Sequence, residues 1–117
     1  MAIDDRMRYT MSVRLHKGEK AFGPGIALLL KLVEEKHSLR SAAAEMNMAY
    51  SKAWRIVKDT ETALGFKMLN STIGGRNGGG AALTDDAIDM LHRYDAFMAD
   101  VHAAADALFE KHFPTAP

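Results

Sequence analysis

The chain has 117 residues, 48% of them hydrophobic and 26% charged, with 15 basic and 15 acidic side chains and no cysteine. That balance describes one ordinary globular domain, and it excludes a disordered chain, a disulfide scaffold and thiolate chemistry. No apolar run approaches the ~20 residues of a membrane span, and the opening MAIDDRMRYT is too polar and acidic for a secretory signal, so a cytoplasmic protein is expected.

A net charge of zero conceals a split. Residues 1–80 hold 13 Lys+Arg against 8 Asp+Glu, whereas residues 81–117 hold 2 against 7. One basic working face with an acidic region turned away from it would give this pattern.

In chain order, Tyr9, Met11, Val13 and Leu15 alternate with polar neighbours, which predicts a half-buried strand. Lys17-Gly18-Glu19 reads as a turn, after which Lys20-Ala21-Phe22 pairs back as a short second strand. Gly23-Pro24-Gly25 opens a helix, because a proline in the first turn gives up an N–H that has no partner there anyway. From Ile26 to Glu35 apolar positions cover more than half the circumference, so this helix should be mostly buried.

The next stretch, Ser38 to Leu64, reads as a short helix, a tight turn at Met46-Asn47-Met48 and a longer helix. Ser38 or Ser41 caps the short helix, and Ala42, Ala43 and Ala44 let it sit close to a neighbour. In the longer helix Ala53, Trp54, Val57 and Leu64 are expected to face inward, with Tyr50, Ser51, Lys52 and Arg55 outward. A small alanine-rich helix, a turn and a polar-basic helix are what a DNA-reading helix-turn-helix requires. Tyr50, Ser51, Lys52 and Arg55, together with Arg40, are therefore the candidate DNA contacts.

Gly65 supplies the left-handed stop of that helix. Between Leu69 and Leu83 a glycine-rich run carrying Arg76 suggests two short strands joined by a flexible tip, which is a wing. Arg76, its only charge, could enter a minor groove. A phosphate-binding loop would instead need Gly-Lys-Ser/Thr running straight into a helix, and here Gly80 runs into Ala-Ala-Leu.

Thr84 caps the last helix, with Asp85 and Asp86 favouring its positive end, and nothing interrupts it before about His112. Leu91, Tyr94, Met98, Val101, Ala105 and Leu108 recur in steps of three and four, a heptad-like seam suited to pairing two copies. The domain division expected is therefore 1–83 for DNA binding, 84–113 for dimerisation and 114–117 as a tail. The five histidines are scattered, with His92, His102 and His112 turned to different faces of one helix, no Ser/His/acid arrangement can be placed, and neither enzyme activity, metal nor cofactor is expected.

From Tyr9 to about Leu108 the sequence resembles the N-terminal DNA-binding domain of the ModE family, molybdate-responsive bacterial regulators, and more loosely the LysR winged helix. The segments carrying the likeness are KGEKAFGPGIALLLKLVEEKHSLRSAAAEMNMAYSKAW and GGRNGGGAALT. The resemblance implies a mainly α fold with a small β wing: a winged helix-turn-helix with an N-terminal hairpin and a long C-terminal dimerisation helix. It further implies a homodimer on a palindromic operator, linked to molybdate homeostasis, with Tyr50, Ser51, Lys52 and Arg55 in the recognition helix and Arg76 at the wing tip. Full-length members also carry a molybdate-binding region that these residues do not match, so direct molybdate binding is not expected of this chain. Ser71 stands where the family usually has an arginine, and the Lys and Ser after Tyr50 are in exchanged order, which points to a different target sequence. The alternative reading is a protein-interaction module that heterodimerises with a full-length regulator and inhibits it.

Overall fold

Helix α1 (Pro24–Lys36) is the hub of the fold, described by a computed structural model over residues 6–72 and 80–114. Ile26, Leu29, Leu30 and Val33 recur at helical spacing and are buried, along with Ala27. Leu28 stays largely exposed, because it falls about 200° round the helix from Ile26. Around this stripe close Phe22, Met68 and Val57, all essentially without solvent contact. Each such side chain contributes roughly 1.5–3 kcal/mol by leaving water.

Before α1 stands a small hairpin, β1 (Leu15–Lys17) and β2 (Glu19–Phe22), turning through Gly18 at φ 75°. Leu15 pairs with Phe22 but His16 with Lys20, so Ala21 is an extra residue bulged out of the ladder. The strand expected to start near Tyr9 begins only at Leu15. Upstream, the chain runs along the last helix: the Val13 carbonyl accepts from the Tyr94 hydroxyl at 2.8 Å, and the Tyr9 ring lies 5.1 Å from that of Phe109. Alternating side chains mark an extended segment, whether its partner is a strand or a helix. Here it is a helix.

Helix α2 (Leu39–Glu45) begins at Ser38, whose hydroxyl accepts from the Ser41 N–H at 3.0 Å, so the cap is Ser38 rather than Ser41. Ala42 and Ala43 are fully enclosed and bring α2 close to α1. Asn47, at φ 54°, takes the left-handed turn and leads into α3 (Tyr50–Leu64). Gly65, at φ 87°, ends α3, a conformation glycine adopts without a Cβ penalty.

A second two-stranded sheet follows, β3 (Leu69–Thr72) against β4 (Gly80–Leu83), in register from Leu69↔Leu83 to Thr72↔Gly80. It is the wing, with its tip outside the described residues. Several bonds converge on its root. The Met68 N–H donates to Glu61 Oε2 at 2.7 Å, the Thr84 hydroxyl to the Lys67 carbonyl at 2.6 Å, and the Ala81 N–H to the His37 carbonyl at 3.0 Å. Thr84 also caps α4 (Asp85–His112) by accepting from the Ala87 N–H.

Helix α4 has 28 residues and so runs roughly 42 Å. Its first half packs on the domain, where Ala87, Leu91 and Tyr94 are buried and Tyr94 meets Phe22 edge to face. The second half projects past the core. The fold is therefore mainly α with a small β wing, a winged helix-turn-helix followed by a long helix.

Candidate nucleic-acid interface

Helix α3 sets the geometry of the site. At about 100° per residue, Ala53, Val57 and Thr60 form one narrow buried line. The side opposite that line is centred on Arg55, with Ser51 beside it, and both are exposed. Lys52 is also exposed, on the flank towards the β1–β2 hairpin. Of the residues singled out in sequence, Ser51, Lys52 and Arg55 thus share the outer half of α3.

Tyr50 is half-buried and lies on the other flank, towards the wing. The Arg40 guanidinium stands 4.3 Å from the centre of its ring, so α2 and α3 join in one cation–aromatic pair beside the turn. Arg40 thereby stands beside Tyr50, another of the contacts predicted from sequence. Ala49, at the N-cap of α3, offers no side-chain acceptor, which leaves N–H groups of the first turn for an anion from outside. Arg76 lies outside the described residues.

One expectation is overturned. Trp54, read from sequence as inward-facing, is 50% exposed and takes no part in the core. The buried line is set by small and β-branched side chains at positions 53, 57 and 60, and Trp54 is rotated about 100° from Ala53, too far to share it. It faces the wing root, with the Lys58 ammonium 5.4 Å from its ring centre. Lys58 in turn donates to Glu61 Oε1 at 3.2 Å. Sequence reasoning passed over Lys58, Glu61 and Lys67. The signal for the first two was available, since positions 50, 54, 58 and 61 follow one helical line.

The seam residues of α4 divide. Leu91 and Tyr94, each 4% exposed, belong to the core of their own chain, and Met98 packs against it. Val101 and Ala105 are half-buried, while Leu108, Phe97 and Phe113 are largely exposed. Whatever α4 meets outside the chain, Leu91 and Tyr94 are not free to meet it.

The arrangement is that of a helix-turn-helix with a wing, and comparison with known proteins agrees. Residues 26–88 match the family described as bacterial regulatory helix-turn-helix protein, lysR family. The chain is 29% identical to the molybdenum transport protein ModE of Azotobacter vinelandii over 71% of its own length and 31% of the relative's. It is 34% identical to the transcriptional regulator ModE of Haemophilus influenzae over 57% of its length and 26% of that protein's. Against the molybdenum-pterin-binding protein MopB of Rhodobacter capsulatus it is 30% identical over 92% of its length and 39% of that protein's. It thus spans about a third of the length of these relatives. The matched segment covers α1 to the start of α4, the whole helix-turn-helix and wing, and the chain belongs to the LysR-type family of bacterial regulatory helix-turn-helix proteins.

Proposed function

We propose that this chain is the DNA-binding part of a transcriptional regulator, acting as a homodimer on a palindromic operator and serving molybdate-responsive control. The observation that carries the reading is the outer half of α3, where Ser51, Lys52 and Arg55 stand exposed directly after the turn. A helix so placed enters a major groove with its first turns towards base edges. Phosphate contacts supply most of the affinity, and Lys52 and Arg55 have the donors to read guanine. No catalytic step is assigned to the chain.

The exposed side of α4 supports the dimer reading. Phe97 and Leu108, with half-buried Val101 between them, lie along its projecting half, where an isolated monomer would leave the first two largely in water. On a palindromic operator the paired copies would need to present their recognition helices about 34 Å apart, one turn of duplex. The link to molybdate rests on the names of the ModE and MopB relatives.

The test is selection of duplexes from a random library by the purified chain, with and without molybdate. Enrichment of an inverted repeat supports the reading. Dimerisation without any enrichment, or with no affinity for duplex DNA, contradicts it and favours an interaction module.

A further inference from the structure

Between α3 and the wing root runs a groove of about 260 Å³ that the recognition-helix assignment leaves unused. Its walls include Arg40, Tyr50, Trp54, Lys58, Glu61 and Lys67. Tyr50, Trp54 and Lys58 succeed one another at intervals of four along one flank of α3, so two aromatic faces and a cation line one side. Three cations meet one acid here. Glu61 is already committed, accepting from the Met68 N–H through one oxygen and from Lys58 through the other. The groove is therefore cationic with aromatic faces. The exposed apolar centre of a protein-docking site would instead be depleted of charge.

We propose that this groove is a second DNA-contact surface, in which Trp54 packs on the deoxyribose-phosphate backbone of one strand while Arg40 and Lys58 face the flanking phosphates. The proposal rests on the reading of α3 as a helix that enters the major groove. A helix so docked leaves one backbone passing along its wing-side flank, and that backbone alternates apolar sugar faces with anionic phosphates. Trp54 offers a broad apolar face for the sugar and an indole N–H for a phosphate oxygen. Arg40 and Lys58 are held over aromatic rings, at 4.3 and 5.4 Å, which orients their charges before any DNA arrives. Both aromatic–cation pairs then sit on the rim between two elements that would touch the same strand. Contacts of this kind fix register on the duplex rather than read bases.

Trp54 is the only tryptophan in the chain, so its emission reports on this groove alone. The experiment titrates wild-type protein, Trp54→Phe, Trp54→Ala and Lys58→Ala with a fluorescein-labelled random-sequence 30-base-pair duplex. Label anisotropy and tryptophan emission are followed at several salt concentrations. Expected are a change in Trp54 emission that tracks the anisotropy and an affinity loss of about tenfold for Trp54→Ala. Most affinity should return in Trp54→Phe, and the salt slope of Lys58→Ala should be shallower by about one. Trp54 lies outside the core, so Trp54→Ala should melt like wild type; the emission of the wild-type protein needs no variant in any case. Rising anisotropy with unchanged Trp54 emission and wild-type affinity in Trp54→Ala would overturn the inference while leaving α3 as the reading helix. No anisotropy change for wild type at low salt would overturn both.

Discussion

Arg55 occupies the middle of the outer face of α3 and Lys52 its hairpin-side flank, both with their charges in water. If each reaches a base edge, Lys52→Ala and Arg55→Ala weaken specific binding by about 1–3 kcal/mol apiece. Gel shifts on the selected operator check this, and unchanged affinity in both variants would remove them as readers. Their exposure was legible in the sequence, because polar and basic side chains at spacing three on a helix rarely face a core. Trp54 was not. Residue type argued for burial, whereas rotation about α3 decided for exposure, and the line through Ala53, Val57 and Thr60 becomes visible only once Thr60 is known to be inside. Thr60 tolerates that burial because its hydroxyl donates to the Ile56 carbonyl at 2.8 Å.

Among the elements, Glu61 ties the root of the wing to α3 through a side-chain bond. Glu61 is 12% exposed and accepts the Met68 N–H, so Glu61→Ala leaves a largely buried donor unsatisfied at a cost of about 1–3 kcal/mol. Thermal unfolding should show a lower Tm for Glu61→Ala and partial recovery in Glu61→Gln, which keeps an acceptor. A wild-type Tm in Glu61→Ala would show that the wing root does not depend on the Glu61 bond. The strands of the wing, the cap at Thr84 and the stop at Gly65 were legible, being signalled by local chemistry, whereas Ser38 and Ser41 stand as equal caps for α2 in the sequence and only the bond from the Ser41 N–H to the Ser38 hydroxyl decides between them. The arm from residue 6 to residue 14 was not, since its period reports an extended backbone and says nothing of what it packs on.

That arm makes stability sensitive to alkali. Burial pushes the Tyr94 hydroxyl above its usual value, partly countered by Arg14 and Lys31 and reinforced by Asp95. The hydrogen bond to Asp106 raises Tyr9, with desolvation and the Asp106 charge adding to it. In both cases the folded chain holds the proton more tightly than the unfolded chain. The stabilisation is therefore complete below about pH 10 and is lost as pH rises through the folded values. Tm should fall more steeply above pH 10 in wild type than in Tyr94→Phe, which gives up its bond to Val13 at neutral pH, worth about 1 kcal/mol. Parallel curves for the two proteins would contradict the assignment.

Over the whole molecule, the chain extends 60 × 40 × 20 Å, the projecting half of α4 adding length that the core does not need. The heptad pattern announced a helix too long for the domain, but it did not say where the domain would stop using it. Packing against α1 takes Leu91 and Tyr94, and the proposed seam shifts to Phe97, Val101 and Leu108. Sedimentation equilibrium should give a dimer for wild type and a monomer for Leu108→Glu combined with Phe97→Glu, both changes lying outside the core. A monomeric wild type would sink the seam. In the proposed dimer, the basic excess of residues 1–80 and the acidic excess of residues 81–117 would turn the reading heads towards an anionic duplex. The measurement that bears most directly on the account is the affinity of the purified chain for its selected duplex as a function of salt, beside a scrambled duplex. The account predicts tighter binding to the selected sequence, a linear fall of log affinity with log salt, and loss of the preference when Lys52 and Arg55 are both alanine. Equal affinity for both duplexes, or a flat salt dependence, would contradict it.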